Sequence, residues 1–152
     1  MRERKDIDLQ YTRNLDVIYS SSRDFDNDYD KVKELIGKLS KYEDNMMDNS
    51  TNFYDVINLS FEIERLIDKL YCYTNLSFDL DTSNNECQEL CEKIGNLHSD
   101  YVKISYFIVP NILKCDKELI DKYYEEVPKL KEYETSIKNI YRYKDHTLSD
   151  KE

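Results

Sequence analysis

Residues 84–109 read NNECQELCEKIGNLHSDYVKISYFIV. Within them Cys87, Cys91, Ile94, His98, Tyr101, Ser105 and Ile108 recur at steps of 4, 3, 4, 3, 4 and 3, and Leu90, Leu97 and Ile104 flank that line at intervals of seven. An average step near 3.5 is the period of a helix that keeps one face turned to a neighbouring helix. The stretch therefore predicts a long helix with a seam.

The same pattern extends outward. Upstream, Asp81-Thr82-Ser83-Asn84-Asn85 is polar and cap-forming, so it separates this helix from the one before. That earlier helix is expected over about 52–80, with Val56, Leu59, Ile63, Leu66, Leu70 and Tyr73 as its stripe. Helices of about 27 residues span roughly 40 Å, and a short connection makes two of them an antiparallel hairpin. Further upstream, Met47–Asn52 is a turn signal. A first helix is predicted over 22–44, capped by Ser21 with Asp24 as return partner and striped by Phe25, Tyr29, Val32, Ile36 and Leu39. Before it, residues 1–20 read as an extended arm with an apolar knot at Leu15, Val17, Ile18 and Tyr19. Downstream, Pro110 should end the long helix or start a short turn from Asn111 to Leu113, Asp116 should cap a helix over 117–126, and Pro128 should open a last helix over 128–143 bearing Leu130, Tyr133, Ile137 and Ile140. The tail from Lys144 to Glu152 has no apolar face. The fold class expected is all-α: a long antiparallel helical hairpin plus shorter flanking helices in a bundle.

Composition agrees. Glycine and proline occur twice each in 152 residues, too few for a sheet protein with many tight turns. Fourteen tyrosines and no tryptophan supply much of the apolar area, and their hydroxyls need partners, so they belong at the edges of the core. Four cysteines are too sparse for a disulfide scaffold and read as reduced thiols in a cytoplasmic protein. There is no secretory leader pattern and no apolar run near the roughly 20 residues that cross a bilayer. The net charge is −10, and residues 51–100 alone hold 10 acidic against 3 basic side chains. That surface repels phosphates, so neither nucleic acid nor an anionic membrane is expected as a partner.

No reactive constellation emerges from the spacing. Cys87, Cys91 and His98 share a helical face and admit a metal reading, but thiols on a tight seam more often pack as small hydrophobes. The zinc-peptidase helix needs two histidines four apart with a glutamate beside the first; here His98 precedes Ser99-Asp100 and His146 precedes Thr147-Leu148. Asp24, Asp26, Asp28 and Asp30 alternate like a calcium loop, yet Tyr29 and Leu35 stand where such a loop requires glycine and glutamate. The pairs Glu62/Glu64 and Glu125/Glu126 lack a pocket to separate their pKa values. No catalytic, cofactor-binding or metal residue is assigned.

Several patches, taken in order, resemble oligoendopeptidase F, a thimet-oligopeptidase-like family of zinc peptidases. They are Asn14-Leu15-Asp16-Val17-Ile18-Tyr19 with Ser21 and Phe25; Leu70-Tyr71, Tyr73, Leu76, Asp79, Asp81-Thr82 and Asn84; and Leu130-Lys131-Glu132-Tyr133, Arg142 and His146-Thr147-Leu148-Ser149. The family carries tryptophans near positions 13 and 25, where this chain has Arg13 and Phe25. The resemblance implies an N-terminal region: residues 1–20 an arm, 21–145 a helical lobe, and 146–152 a tail leading to a catalytic domain that is missing here and would hold the zinc. Such a lobe would form part of the wall of a cavity admitting short peptides and would be inactive alone. Its partners would be the catalytic domain of the same polypeptide and short peptide substrates. Left uncovered, its apolar faces would promote self-association. The alternative reading is a stand-alone helical interaction module.

Overall fold

The computed structural model describes residues 14–80 and 85–142. Among these residues the regular structure is helical, with no strand: α1 (Ser22–Leu39), α2 (Ser50–Leu80), α3 (Asn85–Ser105), α4 (Ile108–Lys114), α5 (Lys117–Glu126) and α6 (Glu134–Arg142), with 3-10 turns at Leu15–Val17, Ser40–Tyr42 and Pro128–Tyr133. The chain is all-α, as its periodicity requires. The polar connection at 81–84 and the tail from 143 lie outside the described residues.

α2 is the spine, and both of its long neighbours run against it. Asp28 on α1 meets Lys69 at 2.8 Å while Lys31 meets Glu62 at 2.6 Å, so partner numbers fall as α1 advances. On α3, Tyr101 bonds Ser60 and Glu64, His98 meets the edge of Tyr71, and Cys91 faces Asn75. This is the expected antiparallel hairpin. α1 and α3 also touch each other, where the Lys93 ammonium lies 4.0 Å from the centre of the Tyr29 ring. α4, α5 and α6 close one end of this three-helix body. Tyrosine hydroxyls pin that junction: Tyr123 donates to the Met47 carbonyl at 2.7 Å, Tyr133 to Asn58 at 2.9 Å and Tyr141 to the Cys115 carbonyl at 3.3 Å.

The arm residues that are described are not extended. Asn14 caps the Leu15–Val17 turn, accepting from the Asp16 amide at 3.0 Å. Tyr19 is buried between Phe25 and Tyr73, at ring separations of 5.4 and 5.2 Å, and donates to Asp28 at 2.8 Å. Burial first, and the neighbouring Asp28 second, hold that phenol far above its ordinary pKa. Phe25 fills its place in this aromatic cluster with 4% of its surface exposed.

Several boundaries differ from those expected, each for a local reason. Ser21 does cap α1, accepting from the Asp24 amide at 3.2 Å, but α1 ends at Leu39 and not at 44. There the Ser40 hydroxyl bonds back to the Gly37 carbonyl and the chain tightens into a 3-10 turn. α2 begins at Ser50, two residues early, because Asn49 caps it by accepting from the Asn52 amide at 2.9 Å. α3 ends at Ser105, not at 109, and Pro110 sits inside the first turn of α4. Its ring would clash with the Tyr106 carbonyl of a continuing helix, so the break falls one turn earlier; in the first turn of α4 its missing N–H costs nothing. Asp116 precedes α5 as expected but makes no side-chain capping bond. Pro128 opens a 3-10 turn, and the last α-helix starts only at Glu134.

Candidate functional site

On α3 the residues His98, Tyr101, Val102 and Ser105 stand at i, i+3, i+4 and i+7 and so share one face. On α2 the positions Ile57, Ser60, Phe61 and Glu64 do the same. Where these two faces splay apart, α4 contributes Ile108 and Val109, and α6 contributes Ser136, Ile137 and Ile140. Together they line a groove of about 400 Å³. Its floor is buried side chain: Ile57, Tyr101, Ile108 and Ile137. Its walls are large apolar groups open to solvent. Phe61, Val102 and Val109 are 37%, 52% and 46% exposed, and they are three of only five such groups among the described residues. All three belong to the lining of this one groove. Phe61 is held in place by stacking on Tyr133, with ring centres 4.8 Å apart.

One polar chain crosses the apolar floor. The Tyr101 hydroxyl lies 2.6 Å from Ser60 Oγ and donates to Glu64 Oε1 at 2.8 Å. Burial drives the Tyr101 phenol well above its ordinary pKa, and the Glu64 carboxylate adds to that. Tyr101 is therefore a fixed neutral donor that holds Glu64 in one orientation. No cation among the described residues pairs with Glu64, whereas Glu62, two positions earlier, points the other way to Lys31. Although only two positions apart, these two glutamates are separated by the helix onto different neighbours.

The cysteine and histidine trio does not converge. His98 is exposed on the groove rim and not buried on the seam, because the seam passes through Ile94, Leu97 and Tyr101. Its ring lies 6.3 Å from Tyr71, while Cys91 faces Asn75 Oδ1 at 3.9 Å, one turn of α2 further along. No group of three histidine, cysteine, aspartate or glutamate side chains gathers among the described residues. The donor set present here does not fit a zinc site. The four alternating aspartates lie on α1, where Asp24 accepts from the Ser20 and Ser21 hydroxyls and Asp28 is taken by Tyr19 and Lys69. Those two serine bonds hold Asp24 below the usual carboxylate range.

Phe61, Val102 and Val109 fall off the apolar seams of α2 and α3, so the seam periodicity does not reveal the groove. A signal existed: His98, Val102, Ser105 and Val109 step by 4, 3 and 4 along a second line.

The described residues thus form an all-helical body that presents an apolar groove and gathers no metal-ligating cluster. The family model described as Oligopeptidase F matches residues 111–152. Along 99% of its length the chain is 29% identical to Oligopeptidase PepF of Bacillus subtilis, of which it covers 22%. It is 27% identical to the chromosomal oligoendopeptidase F of Lactococcus lactis subsp. cremoris, covering 25% of that protein. The crystal structure of oligoendopeptidase-F from Enterococcus faecium superposes with a TM-score of 0.69 at 28% identity, over 85% of this chain and 26% of that one. A crystal structure from Chlamydophila abortus shares the fold at a TM-score of 0.79 over 98% of this chain. The chain spans about a quarter of the length of these relatives and corresponds to their N-terminal lobe. The resemblance read from the sequence is borne out.

Proposed function

We propose that this chain is the non-catalytic N-terminal lobe of a cytoplasmic zinc oligoendopeptidase. It forms part of the wall of a cavity in which short peptides are hydrolysed. The observation that supports this is the similarity, along 99% of the chain, to about one quarter of such enzymes. In this reading residues 1–20 are an arm, 21–145 the lobe, and 146–152 the tail toward the catalytic domain, which holds the metal. Rigid helices suit a wall, since they keep their shape as peptides pass. Without its covering partner, the exposed apolar face would draw copies of the lobe together.

That same face favours a second reading, a stand-alone helical interaction module. The reading frame beyond residue 152 separates the two. A continuation encoding two histidines four apart with an intervening glutamate, and chelator-sensitive hydrolysis of short peptides by the complete polypeptide, is the expected result. A stop codon directly after Glu152 would contradict the peptidase reading and leave the module.

A further inference from the structure

We draw no further inference here: the strongest candidate, the apolar groove between α2, α3, α4 and α6 that is walled by Phe61, Val102 and Val109, is an unpartnered face, and nothing in the structure shows what covers it.

Discussion

Tyr101 and Tyr124 are both buried phenols, yet their hydroxyls meet different fates. Tyr101 is bonded to Ser60 and Glu64, whereas the Tyr124 hydroxyl has no hydrogen-bond partner among the described residues. Removing a paired hydroxyl strands a buried partner, and removing an unpaired one relieves a desolvation cost. Tyr101→Phe is therefore expected to lower unfolding free energy by about 1–2 kcal/mol, and Tyr124→Phe to leave it unchanged or raise it by a few tenths. Urea unfolding with a constant slope checks both; a larger loss for Tyr124→Phe would refute the pairing. The phenols also set the alkaline limit. Burial raises Tyr19, Tyr101 and Tyr124 from the ordinary value of 10.0, Tyr124 to about 12. A group whose native pKa is raised keeps its proton longer than the unfolded chain does. Its contribution is complete below pH 10 and is lost as pH climbs toward the native value. Stability should hold through neutral pH and decline above about 10. Phenolate absorbance for the buried tyrosines should then appear together with the loss of helical circular dichroism. Gradual ionisation of all tyrosines with the helices intact would contradict this.

At the scale of elements, the long hairpin was legible because its seams are apolar and periodic. What periodicity could not show is that α2 has two seams. The stripe through Val56, Leu59, Ile63, Leu66, Leu70 and Tyr73 is one line, but the helix also buries Phe53, Ile57, Ser60, Ile67 and Thr74. Ser60 and Thr74 are polar, so a hydrophobicity reading passes over them; their burial is set by tertiary contact. His98 erred the other way, since a helix reading assigns a face but not where the neighbour stops covering it. The groove needs four elements to converge, and no single stretch encodes that convergence. The first two turns of α3 bury no side chain fully, whereas the middle of α2 buries Ile63, Ile67 and Leu70. Leu70→Ala should accordingly cost about 3 kcal/mol, and Leu90→Ala, at a half-buried position, about 1 kcal/mol. Amide exchange should be slowest at 63–70 and fastest among the described helices near 85–91. Equal protection of the two segments would mean that the hairpin packs more tightly at its tip than the structure shows.

For the whole molecule, the governing feature is a rigid helical wall, acidic overall, that carries an open apolar groove and assembles no zinc site among its described residues. No described helix is long and apolar enough to cross a membrane. In the function proposed above, such a wall acts by shape: it admits a flexible short chain and excludes a bulky one. The most direct measurement is hydrolysis by the complete polypeptide of internally quenched peptides of increasing length, ending with an unfolded protein. The account predicts cleavage of the short members, a sharp fall beyond a length limit, and no cleavage by residues 1–152 alone. Comparable cleavage of the unfolded protein, or activity in the 152-residue chain by itself, would contradict it.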